Sequence, residues 1–184
     1  MKRPERAPPL ETDRFRLRPM SRRAVSRASL RWTDDPEVMS GFGLKAGGWS
    51  LRQWRRTFRR YDGRRRCCYG IHAKPDGRLI GYHVHELSAR NRQATLLVLI
   101  GERDWWGRDA VTEVRGAVLD LLFHRLGVRR VSSTVRARNL PSIYNYRRLG
   151  FRQEGILREG GVAADGSPVD LVIFALLARE WRRP

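Results

Sequence analysis

The sequence is poor in cysteine, poorer still in lysine relative to arginine, and without any long apolar run. Cys67 and Cys68 are its only cysteines, and they are neighbours. Adjacent residues of a strand point to opposite faces and rarely bridge. One adjacent pair also lacks the spacing of a zinc site. A disulfide framework and a cysteine metal centre are therefore excluded, and two ordinary thiols in a reducing compartment are expected. No stretch approaches the ~20 apolar residues of a membrane-crossing helix. The opening residues, MKRPERAPPLETDRF, carry charge and proline but no apolar segment, unlike a secretory signal. The expectation is a cytoplasmic protein with no membrane contact and no metal. Residues 1–9 read as a loose tail before one folded domain, 10–184.

Lys2, Lys45 and Lys74 are the only lysines among 38 basic residues, which face 19 acidic ones for a net charge of +19. Such a charge attracts polyanions. The arginines are spread along the chain, however, and no aromatic–basic recognition motif accompanies them. An arginine-rich solvated surface without a specific nucleic-acid site is the reading. A length of 184 residues, 41% hydrophobic, suits a single globular domain.

Hydrophobic periodicity supplies the element order. Phe15 and Leu17 alternate with arginines, as in a half-buried strand. Residues 21–32 suggest a helix, and DDPEVM a second one with Pro36 in its first turn. A glycine-rich loop, Gly41–Trp49, follows. Ser50 and Gln53 form a capping-box pattern, with Leu51, Trp54, Phe58 and Tyr61 on one side and five arginines (52, 55, 56, 59, 60) on the other. CCYGIHAKPDGRLIGYHVHEL reads as strand, turn, strand around Pro75-Asp76-Gly77. TLLVLIG, a continuous apolar run, predicts a strand buried on both faces. Val111, Val114, Val118, Leu121 and Leu122 mark a helix ended by Gly127. VRRVSSTV is a strand and NLPSIYNYRRLG a short helix between Pro141 and Gly150. FRQEGILRE and VDLVIFALLAREW close the chain as two strands. The order argues a mixed α/β single domain around one sheet.

RDWWGRDAVTE, Arg103–Glu113, admits two readings. A glycine turn and an arginine before a helix make an anion cradle from free amides and the helix dipole. Alternatively, Gly107 only turns the chain and Asp109 caps the helix. The apolar strand before it favours the cradle, because the helix then starts past the strand's C-terminal end.

The ordered set LETDRFRLRPM, DDPEVM, IGERDWWGRDAVTE, ARNLPSIYNYRRLGF, EGILRE and DGSPVDLVIFALLAREW resembles the RimJ/RimL-like branch of the GNAT superfamily of N-acetyltransferases. The resemblance spans about residues 10–182. It implies a central, mostly antiparallel twisted sheet flanked by helices, with a splayed strand pair that takes CoA. It implies acetyl-CoA as co-substrate, its pantetheine arm on the backbone of Val98, Leu99 and Ile100. The pyrophosphate would lie on the turn Gly107, Arg108, Asp109, Ala110, Val111 and Thr112, helped by Arg103 or Arg108. Asn139 and Ser142 match positions that help hold CoA.

Tyr146 matches the tyrosine whose phenol protonates the departing thiolate, a task suited to a positioned O–H; the alternative is an aromatic packed in the core. The base that takes the amine's proton is open among Glu86, His85, His83 and water, because Thr95 stands where many relatives carry glutamate. Two positions depart from the usual motif: Asp109 replaces a glycine and Val111 a small residue. The acceptor is a primary amine, on a small molecule or a protein N-terminus, and a homodimer is one form the assembly could take. Contacts to the acceptor would come from the early helices, Gly41–Trp49 and GVAADGSP. The rival is a GNAT-fold protein without turnover that binds nucleic acid or a partner protein.

Overall fold

A computed structural model describes residues 6–20, 25 and 27–183. Their strands are β1 (Leu10–Glu11), β2 (Phe15–Pro19), β3 (Arg66–Ala73), β4 (Leu79–Ser88), β5 (Gln93–Ile100), β6 (Arg130–Arg136), β7 (Arg152–Val162) and β8 (Pro168–Leu177). They join into one sheet in the order β1-β2-β3-β4-β5-β6-β8-β7. Every neighbouring pair is antiparallel except β5–β6, which is parallel. That parallel pair is short: it registers Gln93 with Arg130, Ala94 with Val131 and Thr95 with Ser132, and then the strands part.

Among the described residues five α-helices pack on the sheet: α1 (Arg27–Leu30), α2 (Pro36–Phe42), α3 (Leu51–Thr57), α4 (Ala110–Asp120) and α5 (Leu140–Arg148). They divide between its two faces, because strand side chains alternate. Ala94, Leu96 and Ile100 of β5 join one core with Val114, Val118 and Leu122 from the α4 region and Tyr146 of α5. Leu97 and Leu99 point the other way, into a core built with Trp32, Trp54, Phe58 and Tyr82. Each fully buried large apolar side chain contributes about 1.5–3 kcal/mol, so these two clusters hold the helices to the sheet.

Local signals explain the helix ends. Asp35 accepts the amides of Glu37 and Val38 at the start of α2, with Pro36 in its first turn. Ser50 and Gln53 close a capping box on α3. The helix read over 21–32 is different: residues 21–24 and 26 lie outside the described residues, and α1 gives way to a 3-10 turn, Arg31–Asp34. Pro36 accounts for this, since it holds Asp35 extended, at φ −91° and ψ 110°. α3 stops before Tyr61 because Asp62 Oδ1 accepts the amides of Arg64, Arg65 and Arg66, a local turn that competes with helix. The segment read as a loose tail is tied down in part: the Ala7 amide donates to the Gly63 carbonyl and the Tyr69 hydroxyl to the Pro8 carbonyl, each at 2.9 Å.

β5 also departs from its expected burial. Thr95 is exposed and Leu97 and Val98 are half-buried. For Leu97 and Val98 the physical reason is the early parting of β5 from β6, which leaves the second half of β5 without a neighbour on that edge; Thr95, still paired with Ser132, borders an open groove.

Candidate active site

The parted strands form a wedge. Ser133 Oγ donates to the Leu96 carbonyl at 2.9 Å, the last link across it. The Trp106 indole donates to the Ile100 carbonyl at 2.9 Å. Leu96 and Ile100 therefore turn their carbonyls away from β4. By strand alternation Val98 does the same, and its amide and carbonyl face the wedge. Leu99 faces β4 instead, and the Ile100 carbonyl is occupied by Trp106. Of the three residues expected along the pantetheine arm, the wedge edge belongs to Val98.

α4 begins at the far end of the wedge. Gly107 has φ 71° and Asp109 φ 57°, so two left-handed residues turn the chain into the helix. A positive φ is easy for glycine and tolerated by aspartate, which explains how Asp109 can stand at a glycine position. Asp109 occupies the N-cap position, but the expected cap does not form: its side chain makes no capping bond. Oδ1 instead accepts from Arg148 of α5 at 2.5 Å. The left-handed backbone and the nearby guanidinium together draw the carboxylate off the helix axis. The amides of Ala110, Val111 and Thr112 are thereby left to another acceptor. No atom stands within 4 Å of where a Cβ on Gly107 would lie. Free amides, an open glycine and the exposed Arg108 beside it are a donor set that fits a pyrophosphate. Arg103 is committed elsewhere: it pairs with Asp35 at 2.7 Å and Glu37 at 2.9 Å and lies over the Trp106 ring. Its guanidinium hydrogen bond holds Asp35 down to about 2.

α5 is clipped to the first turn of α4. Thr112 Oγ1 donates to Asn145 Oδ1 at 3.3 Å, beside the Asp109–Arg148 pair. Asn139 Oδ1 accepts the Ser142 amide at 3.1 Å and so caps α5; this local role occupies one end of the Asn139 amide. Tyr146 is buried beneath this clip, stacked on Phe174 with centroids 5.4 Å apart and edge-on to Phe151. The Arg115 guanidinium lies 4.1 Å from the centre of its ring. Arg115 is fully buried, and its Nε and Nη1 have no hydrogen-bond partner. Nothing in the sequence pattern singled it out.

On the opposite face, a groove of about 380 Å³ opens where β5 and β6 part. Trp54, Phe58, Tyr61, Tyr82, Val84 and Leu97 wall it, with Glu86 and Thr95 at its floor and Leu44 at one side. A second groove of about 350 Å³ adjoins it across Thr57 and is lined by Gly47, Gly48, Trp49, Gln53 and Arg56. The glycine-rich loop thus contributes to both, while residues 161–168 line neither. Glu86 pairs with Arg60 Nη2 at 3.3 Å and Arg66 Nε at 3.4 Å. His83 and His85 turn to the other face, where His85 lies 5.9 Å from the Tyr69 ring. All four of their ring nitrogens are buried without a hydrogen-bond partner. Burial holds His83 well below its ordinary value and His85 down to about 4. His85 also borders the groove, but its ring is packed toward Tyr69, so of the candidates for a base Glu86 is the one with a partly exposed side chain there.

Among the described residues no helix is long and apolar enough to cross a membrane, and no group of three metal-ligating side chains forms.

The sequence is 34% identical over 79 residues to the Uncharacterized N-acetyltransferase p20 of Bacillus licheniformis, covering 43% of this chain and 44% of that protein. The match thus spans less than half the length of that relative. Among solved structures, the ribosomal-protein-S5-alanine acetyltransferase of Vibrio fischeri superposes with a TM-score of 0.80 at 12% identity, covering 96% and 100% of the two chains. The spermidine N-acetyltransferase of Vibrio cholerae, solved with CoA and spermine, gives 0.75 at 18% identity, covering 91% and 97%. Both share the fold. The Acetyltransferase (GNAT) domain family matches residues 14–152, and the chain belongs to that family.

Proposed function

We propose that this protein is an acetyl-CoA-dependent N-acetyltransferase of the RimJ/RimL-like branch, working by direct attack of a primary amine on the thioester. The observation that carries the reading is the wedge between β5 and β6, which leads from the free amides at the start of α4 to the groove at Glu86. The pyrophosphate lies on the amides of residues 110–112 with Arg108 beside it, and the pantetheine arm pairs with Val98. The acceptor amine enters from the α3 side. Its nitrogen forms a bond to the acetyl carbon, and the carbon–sulfur bond breaks. The amine's proton passes to Glu86, directly or through water, and the thiolate takes a proton from the Tyr146 hydroxyl. The acceptor is a small-molecule amine or a protein N-terminus. The buried free thiols of Cys67 and Cys68 suit a cytoplasmic setting.

The rival reading, a fold-sharing binder without turnover, draws on Asp109 beside the pyrophosphate. Its pairing with Arg148 weakens that objection, since the repulsive charge is already engaged. Titration calorimetry with acetyl-CoA tests the proposal. Binding is expected, weakened in Arg108→Glu, where an attractive charge becomes repulsive. Absence of both heat and thermal shift in millimolar acetyl-CoA would overturn it.

A further inference from the structure

The charges around the acceptor groove are unbalanced. Among the described residues, Glu86 is the one carboxylate lining the two adjoining grooves. It is already shared by Arg60 and Arg66. Arg56 lines the neighbouring groove and meets no carboxylate there. Two guanidiniums therefore flank this carboxylate and a third lines the adjoining groove, on a chain whose net charge is +19. Arg60 and Arg66 are about half exposed, at 59% and 52% of their side-chain surface, so an incoming molecule can reach them. The walls, Trp54, Phe58, Tyr61 and Tyr82, are aromatic, and the Tyr61 face is already taken by the Arg60 guanidinium, 5.4 Å from its centroid.

From this arrangement we infer that the acceptor is a primary amine that carries a carboxylate near its nitrogen, and that polycationic amines are rejected. The inference rests on the acetyltransferase reading of the same groove. A carboxylate arriving at Arg60 meets the planar fork that suits it. It also competes with Glu86 for that guanidinium, which loosens Glu86 and leaves it free to accept the amine's proton. A polyamine has the opposite fate: its second and third charges meet Arg56, Arg60 and Arg66 at short range, where repulsion is only partly screened. An amino acid and a peptide N-terminus followed by acidic side chains share the required chemistry.

The test uses the full chain, acetyl-CoA and four acceptors: a peptide with glutamates at its second and third positions, the same peptide with lysines there, free glutamate, and spermidine. Initial rates are read by thiol release and products by mass spectrometry. The glutamate peptide or free glutamate should exceed the lysine peptide and spermidine in kcat/KM by about tenfold or more, and their relative rates separate the two sources. The preference should shrink with added salt. Arg60→Glu, and independently Arg56→Glu, should shift it toward the lysine peptide without loss of thermal stability, since both side chains are at the surface. Equal or faster transfer to the lysine peptide or spermidine overturns the inference while leaving the acetyltransferase reading intact, as does a preference unmoved by both variants. Transfer to no amine overturns both.

Discussion

Tyr146 is the residue whose role can be separated most cleanly from its packing. Its ring is held by Phe174, Phe151 and Arg115, and Tyr146→Phe keeps all three contacts. Thermal stability and acetyl-CoA affinity should hardly change. The transfer rate should fall roughly 10²- to 10⁴-fold, in kcat, because the proton moves only as the carbon–sulfur bond breaks. A stable variant with full kcat would assign the proton to water. His83 and His85 make a second prediction, on stability. Both are held neutral by burial, His85 down to about 4 from an ordinary 6.5. Between those values the unfolded chain binds protons that the folded chain refuses. Stability therefore falls as pH drops from about 6.5 toward 4. His85→Phe should lose part of that slope in melts across the range; a slope equal to wild type would show that His85 is not its source.

At the scale of elements, the decisive junction is the first turn of α4 against α5. Asp109 sits there at φ 57°, paired with Arg148 and not with the helix amides. Asp109→Gly relieves the left-handed backbone and loses an exposed ion pair worth about 0–1 kcal/mol. The melting temperature should move little, and CoA should bind more tightly, because a negative charge leaves and Arg148 is released. Weaker CoA binding in the folded variant would mean that the Asp109–Arg148 clip itself shapes the site. α3 behaves more as its pattern suggests. Its apolar side enters the second core through Trp54, while Arg52 and Arg56, and Arg59 just past its end, stay exposed. Arg55 is the exception: its Nε donates to the Val25 carbonyl at 3.0 Å, anchoring the helix.

At the scale of the whole molecule, the 38 basic residues are spread along the sequence, and no specific nucleic-acid site is expected from that pattern. Binding to DNA or RNA should be insensitive to sequence and should fade steeply with added salt. Fluorescence anisotropy with two unrelated duplexes over a salt series checks this. Tight, sequence-selective binding at physiological salt would favour the rival, non-enzymatic reading.

The sequence by itself determined the order of the main strands and of α2 to α5, the proline in the first turn of α2, the capped start of α3, and the glycine turn before α4. These rest on spacing and on short-range capping, which neighbours in the chain settle among themselves. Its motif order also carried the family. The tertiary structure alone decided which face each candidate meets. His85 and Glu86 are adjacent in the chain, yet one is buried on the α4 side and the other opens to the groove. Arg115 lies beside the apolar stripe of α4 and is buried only because α5 brings Tyr146 over it. Asp109 looks like a cap until Arg148, from another helix, claims it. The exposure of Thr95 follows from the groove that elements distant in sequence leave open beside it. Each of these outcomes depends on contacts between residues far apart in the chain, to which periodicity within one segment is blind.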